Sequence, residues 1–316
     1  RCAAKLDSEA AAKSFFSEEI DTVPLPTFSE VLESTVNDNT DYSVLPVENS
    51  LEGSVGESYD LLNTTSLNVM GEIYHRIEHC LIGDGNLEEI DTVYSHPQAL
   101  GQCRNFIQKH KMKTVPTYDT AGSVRIIKEI NTSNISCIAS KTASEIYQMP
   151  VIAENIADTM NNYTRFLVLS KKESEETGKD KTSIIFSIKH EPGSLSRIIE
   201  KFHQSNVNLT KIESRPNKAT NWEYNFYVDF EGHEKNPEIS EMLEKIKKDT
   251  LFLKILGSYP SAKLDLNPFG FLRVKPMLNP IITIPEMITT KWYVNNIGSE
   301  VICSVAITCN SDAPVF

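Results

Sequence analysis

From residue 14 to residue 170, short apolar runs alternate with segments of helical period. DYSVLPV (41–47) reads as a strand, and ENSLEGSVGESYDLL (48–62) turns from it into a helix. DTVYS (91–95) and ISCIAS (135–140) read as strands, followed by helical HPQALGQCRNFIQKH (96–110) and KTASEIYQ (141–148). NNYTRFLVLS (161–170) has a polar entrance and then an almost wholly apolar run, as when a chain passes from solvent into a sheet. Alternation of this kind predicts layered α/β structure, with ligands beyond strand ends and near helix amino termini. KKESEETGKDK (171–181) is charged and lacks large apolar residues, so it reads as a linker. Beyond it the pattern changes to βαββαβ, the ferredoxin-like order. The strands are TSIIFSIKH (182–190), LTKIESRP (209–216), EYNFYVDFEG (223–232) and LFLKILGSYP (251–260), and the helices are GSLSRIIEKFHQ (193–204) and PEISEMLEKIKK (237–248). In the first strand Ile184, Phe186 and Ile188 share a face. Residues 264–316 fit neither module and receive no architecture beyond weak strands.

Composition narrows the function classes. The chain has 316 residues, room for two or three domains, and 40% hydrophobic content supports packed cores. Its net charge of -12 argues against a nucleic-acid partner, because phosphate binding needs a basic surface. It leaves room for an anionic small molecule. No apolar run is long enough for a membrane helix. The six cysteines show no CxxC spacing, so reduced thiols in a cytoplasmic compartment are expected rather than zinc. The chain starts at Arg1 and is read as lacking its natural amino terminus; an upstream transit peptide would make the location plastidic.

Five polar stretches could carry chemistry, and each also has a plain structural reading. In LPVENSLEGS (45–54), Glu48, Asn49 and Ser50 follow a strand where a helix should start, as caps or as ligand contacts. In YSHPQALGQC (94–103), Ser95 or His96 can cap a helix whose first turn holds Pro97, and Gln98 and Gln102 share one face. In TYDTAGS (117–123), Asp119 and Thr120 precede another helical run. In NNYTRF, Thr164 is a weak acid that needs help from its surroundings, and Arg165 offers bidentate recognition of a carboxylate. In the second module, the Pro-Gly turn of EPGSLSRI (191–198) and the extended IESRP (212–216) could border a small-ligand site.

Together and in this order these segments resemble the prephenate dehydratase family with its carboxy-terminal ACT regulatory domain, from about residue 8 to residue 262. The resemblance implies a two-lobed α/β catalytic domain like type 2 periplasmic binding proteins over residues 1–170, with lobe 1 at about 1–75 and 160–170 and lobe 2 at about 76–159. It implies an α+β ferredoxin-like ACT domain over 182–263. The implied reaction is loss of carbon dioxide and water from prephenate to give phenylpyruvate, in phenylalanine synthesis, with no metal or organic cofactor. Thr164 would be the proton donor, with Arg165 and Phe166 completing its wall. Glu48, Asn49 and Ser50 would hold substrate from the first lobe, and Ser95, Gln102 and Asp119 from the second. Gly193, Ser194, Leu195, Ser196, Glu213, Ser214, Arg215 and Pro216 would bind L-phenylalanine between paired ACT domains. That implies feedback inhibition and a homodimer or homotetramer. The family's amino-terminal strand and GPxGTYS turn have no counterpart before Ser8. A catalytically impaired phenylalanine sensor and an arogenate dehydratase are the alternative expectations.

Overall fold

The structure is a computed structural model that describes residues 2–4, 8–16, 20–159, 161–216, 224–262, 291–297 and 300–306. The first lobe comprises β1 (Cys2–Ala4), α1 (Glu9–Phe15), β2 (Thr22–Pro24), α2 (Phe28–Val36), β3 (Tyr42–Asn49), β4 (Gly53–Ser54), α3 (Gly56–Thr64) and β5 (Asn68–Arg76). The chain crosses to a second lobe of β6 (Cys80–Ile82), β7 (Thr92–Ser95), α4 (Pro97–Gln102), α5 (Arg104–Lys109), β8 (Lys113–Pro116), α6 (Thr120–Ile130), β9 (Ile135–Ala139), α7 (Lys141–Tyr147) and β10 (Val151–Ala153). It returns as β11 (Tyr163–Ser170), which inserts antiparallel between β3 and β5. The first sheet has the order β2-β1-β3-β11-β5, with β4 on β3; the second has the order β10-β6-β9-β7-β8.

Local chemistry explains where the helices start. Thr27 accepts the Glu30 amide at 3.2 Å to open α2, and Ser140 accepts the Ala143 amide at 3.2 Å to open α7. The helix expected to run from the end of β3 starts only at Gly56. Asn49 Oδ1 takes the amides of Leu51 and Glu52 at 2.9 and 3.0 Å, which folds the chain into a side-chain-stabilised turn instead. The helix expected over 96–110 breaks at Cys103 into α4 and α5, where Asp158 accepts the Asn105 amide at 3.0 Å.

The expectation that the amino-terminal strand is missing is corrected. β1 lies parallel between β2 and β3, pairing Cys2 with Thr22 and Tyr42, so a short strand fills that place in the sheet. The expected absence of the family's glycine turn before Ser8 falls partly on residues 5–7, which lie outside the described residues.

The ACT domain is β12 (Asp180–Ser187), α8 (Ser194–Gln204), β13 (Leu209–Pro216), β14 (Tyr224–Glu231), α9 (Pro237–Asp249) and β15 (Phe252–Pro260). They form an antiparallel sheet of order β13-β14-β12-β15. β12 begins at Asp180, inside the stretch read as linker. Asp180 is buried, accepting the Thr177 and Gly178 amides at 3.0 and 2.9 Å, and Lys181 is buried as well.

Strand alternation gives this sheet two jobs. Ile184, Phe186 and Ile188 pack on Ile198, Phe202, Met242 and Ile246 of α8 and α9. Ile185, with Tyr227, Leu256 and Tyr259, packs on Leu45, Val47, Leu167 and Leu169 of the first lobe. The opposite face of the first-lobe sheet holds Val44, Phe166 and Val168 against Ala11 and Ala12 of α1. Gly257 makes close docking workable: its φ is +146°, and a Cβ there would meet the Val69 carbonyl at 2.2 Å. Lys254 caps α3 from across the interface, donating to the carbonyls of Leu62, Asn63 and Thr65 at 3.0, 3.1 and 2.6 Å.

Residues 265–316 form a separate unit, whose described part is a two-stranded antiparallel sheet of β16 (Lys291–Ile297) and β17 (Glu300–Ala306).

Candidate active site

The two crossovers between lobes run side by side: the Ile77 amide donates to the Asn162 carbonyl at 2.8 Å, and the Ile156 amide to the His79 carbonyl at 3.0 Å. Above them opens a cleft of about 810 Å³ lined by both lobes. The first lobe contributes Pro24, Leu25, Pro26, Asn49 and Thr164. The crossovers contribute Ile77, His79 and Asn162. The second lobe contributes His96, Gln98, Ala99 and Gln102 from α4, and Tyr118, Asp119 and Thr120 from the start of α6.

A chain of hydrogen bonds joins the lobes across the cleft floor, and one link fixes the rest. Asn49 Oδ1 is occupied by two backbone amides, so its Nδ2 must point the other way. That nitrogen donates to Asn162 Oδ1 at 2.8 Å and to Thr164 Oγ1 at 3.0 Å. Asn162 Nδ2 then donates to Gln102 Oε1 at 3.1 Å, and His79 Nε2 meets the same oxygen at 2.7 Å, as a donor. Thr164 is thus a cleft-lining hydroxyl whose oxygen accepts from Asn49. An accepted hydrogen bond also makes the hydroxyl proton easier to give up.

Burial pushes the His79 imidazole below its ordinary range, partly opposed by its bond to Gln102, and burial does the same to His75. Both therefore bind a proton less readily in the fold than in the unfolded chain. Unfolding lets them take up protons below about pH 6.5, so the unfolded state binds more protons there and stability falls as pH falls. We expect the melting temperature to drop between about pH 7.5 and about pH 5.5, with a shallower drop in His79→Gln. Parallel curves for the two proteins would contradict this role for His79.

The structure brings together only part of the expected site. Asn49, Gln102, Asp119 and Thr164 line the cleft. Asp119 also caps α6, accepting the Gly122 amide in a very short contact. Five residues are corrected. Arg165 follows Thr164 on β11 and so points through the opposite face of the sheet, where it is only 5% exposed. There its Nε donates to Glu72 at 2.8 Å, Nη1 to Asp229 at 2.5 Å and Nη2 to Tyr259 Oη at 3.0 Å. It is no carboxylate clamp in the cleft. Glu48 faces the same way as Arg165 and pairs with Lys211 of the ACT domain at 2.8 Å. Phe166 is core, beneath the cleft against α1. Ser50 latches the return crossover: its Oγ donates to the Asn161 carbonyl at 2.8 Å and accepts the Tyr163 amide at 3.0 Å. Ser95 is fully buried, and its Oγ donates to the Ile138 carbonyl at 2.7 Å inside the second sheet.

In the ACT domain, Gly193, Ser194, Leu195 and Ser196 line a cavity of about 270 Å³ with Lys189, His190, Tyr224 and Phe226. Glu213, Ser214, Arg215 and Pro216 do not line it, although Ser214 and Pro216 on the neighbouring strand β13 are register partners of its lining residues Phe226 and Tyr224. Arg215 instead lies against Gly56 and 3.6 Å from Asp60 of α3.

Sequence reasoning overlooked His79 and Asn162. Asn162 was within reach, because it stands two residues before Thr164 and strand alternation puts both on one side. His79 carries no local signal; its place depends on the two crossovers lying together.

A two-lobed α/β domain with a polar cleft over paired crossovers, docked on a ferredoxin-like βαββαβ domain, defines the class: an interlobe ligand-binding catalytic domain with an appended regulatory domain. The chain belongs to the prephenate dehydratase family, whose model matches residues 8–174, and the ACT domain model matches residues 182–248. A bifunctional chorismate mutase/prephenate dehydratase from Aquifex aeolicus is 39% identical over 258 residues, 81% of this chain and 71% of that protein. The crystal structure of a prephenate dehydratase from Arthrobacter aurescens in complex with L-Phe is 26% identical, with a TM-score of 0.75 over 83% of this chain and 90% of that one. A structure described as a novel type of quorum quenching acylase is 26% identical, with a TM-score of 0.76 over 83% of this chain and 98% of that one. Among the described residues, no helix is long and apolar enough to cross a membrane.

Proposed function

We propose that the cleft converts prephenate to phenylpyruvate with Thr164 as the proton donor, and that L-phenylalanine regulates it through the ACT domain. The observation that carries this reading is the Asn49 amide directed at Thr164 Oγ1 in the cleft lining, which uses the oxygen as an acceptor and so frees the hydroxyl to donate. In the reaction, the carbon–carbon bond to the ring carboxylate breaks and its electron pair enters the ring. The carbon–oxygen bond across the ring breaks in turn, and the departing hydroxide takes a proton and leaves as water. Thr164 Oγ1 supplies that proton or the hydrogen bond that stabilises the leaving oxygen, and recovers it from solvent. A positioned acid of this kind contributes about 10²- to 10⁴-fold. Fixing the substrate in the cleft contributes several kcal/mol more.

With Arg165 committed to the interface, the described cleft lining contains no lysine or arginine. Gln98 and Thr120 are lining residues that can donate hydrogen bonds to the substrate carboxylates. The partner of Thr164 favours this reading over amide hydrolysis. A hydroxyl nucleophile is activated by an adjacent general base, whereas the partner at Thr164 Oγ1 is an amide donor, Asn49 Nδ2.

The cavity at Gly193–Ser196 is the proposed L-phenylalanine site, and the Arthrobacter aurescens complex supports that choice of ligand. β13 is an edge strand carrying Glu213–Pro216, so those residues meet such a site through a second copy of the chain. We place the protein in the cytoplasm, where the free buried Cys80, Cys103 and Cys137 stay reduced.

The test is turnover. Purified protein given prephenate should produce phenylpyruvate, at a rate that falls as L-phenylalanine is added. Failure to form phenylpyruvate would remove the assignment. Formation of phenylalanine from arogenate in preference to phenylpyruvate from prephenate would move it to the aminated substrate.

A further inference from the structure

Two strand ends of the first lobe each divide consecutive residues between two surfaces. On β3 and β11, Asn49 is the register partner of Thr164, and Glu48 is the register partner of Arg165. The first pair faces the cleft, and the second faces the ACT domain. In the ACT sheet, Lys211 of β13 is the register partner of Asp229 of β14. The two charged pairs meet with opposite signs: Lys211 Nζ lies 2.8 Å from Glu48, and Arg165 Nη1 lies 2.5 Å from Asp229. Lys211 also lies over the Tyr59 ring of α3, at 5.7 Å from its centroid. Next to this quartet the β11–β3 ladder has a register shift between Arg165 and Phe166, while β11 pairs regularly with β5 from Tyr163 to Val168, so the irregular pairing is confined to the β3 side.

We propose that Glu48 and Arg165 are positioning residues, held by Lys211 and Asp229, and that the ACT sheet sets through them the distance between Asn49 and Thr164. Displacing β13 pulls Glu48, and the next residue along the chain is Asn49, whose amide orients the Thr164 hydroxyl. Displacing β14 pulls Arg165, and the preceding residue is Thr164 itself. The ACT domain therefore acts on the chemistry from behind the sheet, without entering the cleft. The kinetic part of this rests on Thr164 being the donor; the structural part does not.

Lys211→Met keeps the side-chain stem and removes the charge. We expect it to lower kcat about five- to tenfold with KM unchanged, the size of change that coupling residues produce. Lys211→Arg should restore most of the rate. In an Asn49→Ala background, Lys211→Met should cost nothing further, because its effect passes through Asn49. An equal loss in both backgrounds, or no loss in either, overturns the proposal. Hydrogen exchange supplies a readout that needs no turnover. The Leu51 and Glu52 amides, which donate to Asn49, should exchange severalfold faster in Lys211→Met, while amides of α4 in the second lobe keep their protection. If the wild-type protein does not act on prephenate, this arm decides alone, and unchanged protection at Leu51 and Glu52 overturns the proposal.

Discussion

Arg165→Ala is expected to destabilise the protein by about 3–5 kcal/mol, the usual cost of removing one partner from a buried ion pair. Glu72 has no side-chain exposure, and Asp229 has 11%. Without the guanidinium they remain inside. Glu72 keeps Lys181 Nζ at 2.7 Å and the Ala262 amide at 3.0 Å, and Asp229 keeps the Ser183 hydroxyl at 2.5 Å. Those contacts soften the loss but leave one negative charge uncompensated. Burial works against the charge on Arg165, and Asp229, Tyr259 and Glu72 together outweigh it, so the guanidinium stays firmly protonated. A loss of this size is a large fraction of the net stability of an ordinary domain, about 5–15 kcal/mol. Chemical denaturation at neutral pH measures it. A substrate clamp exposed in the cleft would behave in the opposite way, with stability nearly unchanged and KM for prephenate sharply raised.

Thr164→Ala should leave the fold intact and lower kcat about 10³-fold, in the middle of the range for loss of a positioned acid. Thr164 is half-buried at the mouth of β11, and its side chain packs into no core cluster. What the substitution removes is the oxygen that accepts from Asn49 and, with it, the hydroxyl proton. Substrate binding depends on other groups of both lobes, so KM should change little. The variant should melt with the wild-type protein, which separates this loss from that of Arg165→Ala. Steady-state kinetics on prephenate, with melting curves on the same samples, check both statements.

The two neighbours show how far the sequence could be read. NNYTRFLVLS announces a strand that starts in solvent and ends in a core, and the structure agrees. The same period of two that identifies the strand also sends Thr164 and Arg165 to opposite faces. Grouping them as one site set family resemblance above strand geometry. Glu48 and Asn49 repeat the lesson on β3. The ACT strands were legible because each alternates or runs apolar between clear turns, and LTKIESRP matches β13 end to end. β1 was not legible, since three residues of Cys-Ala-Ala carry almost no pattern and take their place only through parallel neighbours. Gln102 and Asp119 could be named from helix starts and helix faces. The bond from His79 to Gln102 could not, because residues 23 apart in sequence meet only when the lobes close on their crossovers.

The central claim is that a single hydroxyl at position 164, aimed into the cleft by Asn49, assists the departing oxygen of prephenate. The most direct measurement is kcat for Thr164→Ser beside kcat for Thr164→Ala, at saturating prephenate and with matched melting temperatures. The account predicts that serine recovers at least about tenfold over alanine, because it restores the donor without the methyl group. Equal rates for serine and alanine, or an alanine variant as fast as the wild-type protein, would contradict it.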